Sequence, residues 1–239
     1  MTPSLNRLGR TARRIGEPPS GEAVAVWALD TTSDVVAGHP VTGARWMLGA
    51  AERERAERLA RQRDRHRYVA SHVGLRVLLG GYLGTAPEDV VLVRETCPCC
   101  GGPHGRPAVA GGALHFSLSH SGDLAYLAFC GVPVGVDVEE VPSAASVADI
   151  LPSLHPAETA ELAGMPEAER RAAAGRVWCR KEACLKASGT GLALGLVEPY
   201  VGSASAPATV PGWDLTDLPA PRGYTAALAV RVRTPFAQS

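Results

Sequence analysis

The chain has 239 residues, of which 46% are hydrophobic and 20% charged, a balance typical of a globular protein that fills its own core. Its 24 basic and 24 acidic residues cancel to a formal charge of zero, so no global electrostatic attraction to nucleic acid or to a membrane surface is expected. No apolar run approaches the ~20 residues that span a bilayer, and neither a nucleic-acid nor a membrane partner is predicted.

The first 22 residues are rich in Arg, Pro and Gly and contain no apolar stretch of the kind that a secretory signal needs. We expect residues 1–22 to form a disordered tail. The six cysteines, in the absence of such a signal, indicate reduced thiols in the cytoplasm rather than a disulfide framework.

Half of the cysteines crowd into one short segment, Cys97-Pro98-Cys99-Cys100, with His104 close behind. Cys97, Cys100 and His104 offer part of a zinc knuckle. No second Cys pair follows at the usual spacing, and structural zinc normally takes four ligands. A tight turn with inert thiols is the favoured interpretation, and zinc binding stays an open alternative.

The apolar pattern predicts a first round of helix and antiparallel strand. A buried strand is expected over 24–29, and two helices between residues 45 and 83. A short strand at 90–94 precedes a three-stranded antiparallel meander. The meander strands are expected at 114–119, 124–130 and 132–139.

A second round follows, with a helical segment at 147–165 and a longer helix at 167–188 that Gly189 and Gly191 end. Closing strands include 224–232. The sequence therefore predicts an α+β protein in two α/β halves, 23–131 and 132–239.

The second predicted helix begins in a segment dense in Arg, ERERAERLARQRDRHRYV. One interpretation is a solvated, salt-bridged helix face. The other is that some of these arginines reach an anionic ligand, with Arg67 best placed at the start of the apolar part. The interspersed acids weaken a third option, nucleic acid, because they cancel the field.

Only two of the 24 basic residues are lysine, Lys181 and Lys186, and both lie in the helix predicted at 167–188. Lys is a compact point charge, unlike the Arg fork, so this placement indicates a need for an ammonium group. The alternative is chance on a solvated helix face.

Asp137 and Glu139 are two residues apart on a predicted strand, so both side chains face the same way. A hard cation, Mg²⁺ or Mn²⁺, would relieve their repulsion. Glu182 adds a third carboxylate, with Lys186 at i+4 on the same helix face. The alternatives are a charged exposed strand end for the first pair and an ordinary surface ion pair for the second.

Two further segments carry polar groups suited to an anion. Ser119 and His120 end a strand within FSLSHS, and Arg106 lies in a rigid Gly-Arg-Pro turn. Small hydroxyls beside an imidazole in a turn favour hydrogen bonding to an anionic ligand, although a lone His is more often structural.

Together and in this order, the segments resemble the Sfp-type 4′-phosphopantetheinyl transferases. The resemblance runs from about residue 24 to residue 232. Its matching segments are GRP at 105–107, FSLSHS at 116–121, GVDVE at 135–139 and WCRKEACLKASGTGL at 178–192, with a weaker match around Arg67. The family usually has Lys where Arg106 stands.

The resemblance implies two pseudo-twofold-related α/β halves, each a small antiparallel sheet packed on a long helix, with coenzyme A between them. It implies that Asp137, Glu139 and Glu182 hold Mg²⁺, and that Glu182 helps to deprotonate the attacking serine. Lys186 would offset charge on the leaving group. The remaining coenzyme A contacts implied are Arg67, Arg106, Ser119, His120 and Lys181.

The implied reaction transfers phosphopantetheine from coenzyme A to a serine of an apo acyl or peptidyl carrier protein and releases 3′,5′-ADP. The two-half form favours carriers of polyketide or nonribosomal peptide synthesis and a monomeric enzyme. A non-catalytic module that binds coenzyme A or a carrier protein is the alternative, but it would have no use for three carboxylates. A zinc-organised nucleic-acid binder would need a completed Cys site and net positive charge.

Overall fold

A computed structural model describes residues 3–112, 114–191 and 195–232. None of the helices in these ranges is long and apolar enough to cross a membrane. The helices are α1 (Ala50–Arg58), α2 (Gln62–Leu83), α3 (Ala144–Ile150), α4 (Pro156–Ala163) and α5 (Glu167–Ser188). The strands are β1 (Leu5–Arg7), β2 (Val24–Asp30), β3 (Val35–Val36), β4 (His39–Pro40), β5 (Leu92–Arg94), β6 (Pro107–Val109), β7 (His115–Ser121), β8 (Leu124–Cys130), β9 (Val134–Glu140), β10 (Trp213–Asp217) and β11 (Tyr224–Arg231).

Two sheets organise the chain, one in each sequence half. The first has the strand order β1-β2-β8-β7, and the second has the order β10-β11-β9. The second sheet is antiparallel throughout, and in the first only the pairing of β1 with β2 is parallel. The prediction of an α+β protein is thus confirmed.

Each sheet packs a 22-residue helix on its outer face, α2 on the first and α5 on the second. The inner faces meet in a shared apolar layer, because alternation along β9 turns Val134, Val136 and Val138 toward Val26 and Tyr126 of the first sheet. The predicted boundary at 131–132 falls between β8 and β9, and the pseudo-twofold relation stays a prediction.

The long helix of the second half has the bounds that the sequence predicts. It runs from Glu167 to Ser188, and Gly189 ends it with φ of +77°, a left-handed conformation that glycine adopts without steric cost. Leu192, the last residue of the motif that begins at Trp178, lies outside the described residues.

The predicted meander is wrong at its third strand. β8 pairs with β2 along one edge and β7 along the other, so neither edge is open to β9. β9 pairs with β11 instead and begins the second sheet. The strand that pairs with β9 therefore lies far along the chain from the neighbour that a local pattern suggests.

The expectation of a disordered tail over 1–22 also needs correction. Leu5–Arg7 adds a parallel strand to the sheet, and Leu8 is buried in the core around α2. Ile15 packs against the same core, and the Arg13 guanidinium lies 4.8 Å from the centre of the Trp27 ring. A few apolar side chains are enough to anchor an Arg- and Pro-rich segment.

Candidate active site

β9 presents its two central carboxylates to helix α5. Asp137 and Glu139 share the strand face that carries Gly135, as predicted from alternation. A Cβ on Gly135 would come within 2.0 Å of the Ala183 carbonyl oxygen and 2.6 Å of the Ala187 nitrogen. Glycine at this position therefore lets the α5 backbone approach the strand closely enough for its side chains to reach Asp137.

Asp137 is the centre of a hydrogen-bonded group that joins three elements. Its Oδ1 accepts a bond of 2.7 Å from the Ser119 hydroxyl on β7 and one of 2.5 Å from the Lys186 ammonium on α5. Lys186 Nζ also lies 2.9 Å from Ser119 Oγ. Asp137 is only 1% exposed, and its Oδ2 is buried without a partner. A buried carboxylate oxygen in that condition calls for a further donor or a cation.

Glu139 and Glu182 complete the acidic side of this group. Burial raises the pKa of Glu139, opposed by a hydrogen bond from Ser121 and reinforced by the negative charge of Asp137. Burial likewise raises the pKa of Glu182, while Lys186 lowers it and Asp137 raises it. Burial is the largest cause of both shifts, and the Lys186 ammonium offsets it only in part.

Three serines of β7 form hydrogen bonds with β9. Only the middle one, Ser119, was predicted from the sequence to bind a ligand. Ser117 Oγ accepts a bond of 3.0 Å from the Val136 backbone N–H, and Ser121 Oγ accepts one of 3.2 Å from that of Glu140. Their spacing of two places all three on one strand face with Ser119. That alternation in FSLSHS is the signal that could have identified them.

His120 and Arg67 lie on the solvent side of the group. Partial burial lowers the pKa of His120, and the charges of Lys186 and Arg67 lower it further. Arg67 forms ion pairs with Asp123, in the turn between β7 and β8, and with Asp64. Arg67 also borders a second, smaller cavity of about 410 Å³.

Arg106 connects the β5–β6 hairpin to the end of α5. Its guanidinium donates two bonds to the Glu95 carboxylate, at 2.8 and 3.1 Å, and one of 2.6 Å to the Ala187 carbonyl. The last carbonyls of a helix carry partial negative charge, so a cation is favoured there. Glu95 was not identified from the sequence, since no local pattern marks an acid 11 residues before its Arg partner.

A cavity of about 810 Å³ lies between these elements, with Arg106 and Lys186 both on its wall. The N-terminal half contributes Arg55, Arg94 and the stacked pair of Tyr68 and His72. Loss of water contact lowers the pKa of His72 to about 4, so its ring is neutral near pH 7. His72 was missed because a single His on an apolar helix carries no pattern that distinguishes it from a core residue.

The structure separates Lys181 from Lys186 and Asp137. Its ammonium is fully buried, 2.8 Å from a carboxylate oxygen of Glu158 on α4, and it also donates to the carbonyls of Val197 and Pro199. The next residue, Glu182, is turned about 100° around the helix axis, which sends the two side chains to different faces. Lys181 is therefore a structural contact of the second half in this fold.

The three carboxylates fit a divalent cation in their donor chemistry, because they supply oxygen ligands and Asp137 Oδ2 is buried without a partner. The three carboxylates do not all approach one another within 4.8 Å. Across the part of the chain that the structure describes, the ligand atoms that do so belong to another set, Cys97, Cys100 and His104.

Comparison with known proteins identifies the family of the chain. Residues 133–223 match the family model of the 4′-phosphopantetheinyl transferase superfamily. The chain is 32% identical to the 4′-phosphopantetheinyl transferase HetI of Nostoc sp. over 196 residues, which cover 77% of this chain and 78% of the relative.

Two other relatives come from distant organisms. A phosphopantetheinyl transferase of Thraustochytrium sp. is 32% identical over 75% of this chain and 65% of its own length. The 4′-phosphopantetheinyl transferase psf-1 of Bacillus pumilus is 30% identical over 61% of this chain and 59% of its own length. The chain belongs to the 4′-phosphopantetheinyl transferase superfamily.

Proposed function

We propose that the protein transfers the 4′-phosphopantetheine arm of coenzyme A to a serine hydroxyl of an apo acyl or peptidyl carrier protein. The observation that carries this proposal is the group of Asp137, Lys186 and Ser119, with Glu139 and Glu182 beside it. Lys186 connects this group to the large cavity, because it lies on the cavity wall. A cavity of about 810 Å³ has the size of a cofactor site. The proposed setting is the cytoplasm, with a monomeric enzyme.

In this reaction the serine oxygen attacks the β-phosphorus of coenzyme A, and the bond from that phosphorus to the bridging oxygen of the pyrophosphate breaks. The electron pair leaves with 3′,5′-ADP, and the serine proton is taken up at the enzyme. Glu182 is the proposed acceptor of that proton, directly or through a water molecule. A buried carboxylate with a raised pKa holds a proton more readily than an exposed one.

Charge compensation is the second task of the site. Asp137, Glu139 and Glu182 would hold Mg²⁺ or Mn²⁺, which when bound neutralises charge on the pyrophosphate oxygens. Lys186 keeps an ammonium beside Asp137 and supplies positive charge on the leaving side. Arg106, Ser119, His120 and Arg67 are proposed to bind the phosphates or the adenine end. Lys181 has no part in this proposal, since its charge is paired elsewhere.

The test is incubation of the protein with coenzyme A, Mg²⁺ and apo carrier proteins of acyl and peptidyl types, followed by intact-mass measurement. We expect each accepted carrier to gain one phosphopantetheine group, and the Glu182→Ala variant to give no gain in the same time. Carriers of polyketide and nonribosomal peptide synthesis are the proposed partners. A folded wild-type protein that modifies no carrier would rule out the transferase, and binding of coenzyme A without transfer would favour the non-catalytic module.

A pH dependence follows from the raised pKa values of Glu139 and Glu182. We expect kcat/KM for coenzyme A to fall on acidification at a pH above 4.5, the ordinary value for a carboxyl group, because both groups must be ionised to hold a cation. Saturating Mg²⁺ should move this acidic limb to lower pH, since a bound cation favours the charged carboxylates. An acidic limb of the pH profile that does not shift with Mg²⁺ concentration would contradict the assignment of Glu139 and Glu182 as cation ligands.

The raised pKa values of Glu139 and Glu182 lower activity at acidic pH, but they have the opposite effect on the stability of the fold. A raised folded-state pKa stabilises the fold below the unfolded pKa, and this contribution is lost as the pH rises through the folded value. These two groups therefore do not destabilise the fold on acidification. Circular dichroism over the same pH range should separate acid inactivation at the site from unfolding.

A further inference from the structure

The loop between β5 and β6 contains a cluster of soft ligands that the transfer reaction does not use. One sulfur from each of Cys97 and Cys100 and one ring nitrogen from His104 lie within 4.8 Å of one another. Cys97 is buried, whereas Cys100 and His104 are exposed, and all the cysteines are free thiols. Tetrahedral ligands at zinc bond lengths stand about 3.5–3.8 Å apart, so the cluster needs little adjustment to surround an ion.

The backbone of the loop is folded around these side chains. The Cys97 carbonyl accepts a bond of 2.9 Å from the Gly101 N–H, and the Cys97 N–H donates one of 2.7 Å to the Gly102 carbonyl. These two bonds close the backbone of residues 97–102 into a compact turn.

Two glycines permit this shape. Gly101 has φ of +73°, which a residue with a side chain rarely adopts. A Cβ on Gly102 would lie 2.9 Å from the His104 ring and 3.4 Å from Cys100 Sγ. Cys100 Sγ and His104 Nε2 themselves stand 3.0 Å apart. The His104 imidazole and the Cys100 thiol are thus in contact, and the absence of a side chain at Gly102 leaves room for both.

We propose that Cys97, Cys100 and His104 bind a zinc ion that holds this loop in place. Two thiolates and an imidazole suit zinc, whereas Mg²⁺ prefers oxygen ligands. The fourth position is assigned to water, because the Cys99 sulfur does not lie within 4.8 Å of all three ligand atoms. Zinc bound by two thiolates carries no net formal charge.

The position of the site gives the ion a structural role. Cys97 and His104 line the large cavity together with Arg106, which follows His104 by two residues. Fixing the loop would fix the guanidinium that reaches Glu95 and the end of α5. The inference does not depend on transferase activity, and metal content can test it without a substrate.

The experiment measures metal in protein produced in zinc-supplemented medium and purified under reducing conditions without chelator. We expect about one zinc ion per chain in the wild type. The Cys97→Ser/Cys100→Ser double variant and the His104→Asn variant should lose it. Cys99→Ser is the matched control and should retain it, because its thiol lies in the same loop but outside the cluster.

Cobalt provides a second measurement that needs no variant to fold. Wild-type protein loaded with Co²⁺ should show a thiolate-to-cobalt charge-transfer band, which alkylation of the thiols before loading should abolish. The proposal would be overturned if folded wild-type protein, incubated with an excess of a zinc or cobalt salt and then desalted, retained neither metal. It would also be overturned by zinc retained by a folded Cys97→Ser/Cys100→Ser variant, or by zinc lost by Cys99→Ser and kept by His104→Asn.

Discussion

Replacing Asp137 by Asn is expected to lower kcat for phosphopantetheine transfer by at least about 10³-fold while the protein stays folded. Asn has nearly the shape of Asp and keeps an oxygen that can accept the bonds from Ser119 and Lys186. The substitution removes the negative charge at a residue that is only 1% exposed, where the surroundings screen charge poorly. It also replaces Oδ2, the buried oxygen without a partner that we propose contacts the cation, with an amide nitrogen.

The measurement is the rate of carrier modification at saturating coenzyme A across a range of Mg²⁺ concentrations. Excess Mg²⁺ should not rescue the variant, because the missing charge belongs to the site that holds the ion. Asp214→Asn is the matched control: this exposed strand carboxylate lies on β10 of the same sheet and should keep the wild-type rate. Retention of near wild-type kcat by Asp137→Asn would disprove the central role of this carboxylate.

The parts of the fold that the sequence predicts well are those governed by local patterns. The bounds of α5 are set by an Ala-rich segment between Pro166 and Gly189, and both signals act within a few residues. The shared face of Asp137 and Glu139 follows from strand alternation alone. The sequence also indicates that Lys186 lies near Glu182, because i and i+4 residues share a helix face.

The predictions from sequence are wrong where strand pairing or packing depends on residues that are distant along the chain. Alternation and turn spacing predict that β9 is a strand, but its pairing with β11 depends on edges that β2 and β7 occupy. The packing of Leu8 and Ile15 depends on a hydrophobic surface built by α2, which the tail sequence does not reveal. A local pattern identifies an element, whereas its neighbours are selected by the whole fold.

The two lysines illustrate the same limit at the candidate site. Both lie on α5, five residues apart, and composition alone treats them alike. Their separation comes from the side of the helix that each occupies: Lys186 faces β9 and Asp137, and Lys181 faces α4 and Glu158. No spacing rule connects Lys181 with Glu158, since they come from different helices.

Replacing Lys181 by Met is expected to lower the free energy of unfolding by about 3–5 kcal/mol, because it leaves the Glu158 carboxylate buried without its counterion. Met keeps the length and apolar body of the side chain, so the change is mainly one of charge. Two backbone N–H groups, of His155 and Val201, would still donate to Glu158 but cannot neutralise it. For a chain of this size the melting temperature should fall by roughly 6–20 °C.

A double variant tests whether the uncompensated charge is the cause. Lys181→Met combined with Glu158→Gln removes both charges and keeps an oxygen for the Val201 N–H, so it should be more stable than Lys181→Met alone. At a temperature where Lys181→Met is folded, its KM for coenzyme A should equal that of the wild type. Lys186→Met should show the contrasting result, a large loss of transfer rate, because its ammonium lies at Asp137. A raised KM in Lys181→Met without loss of stability would instead assign this lysine to the pyrophosphate and contradict the buried ion pair as its role.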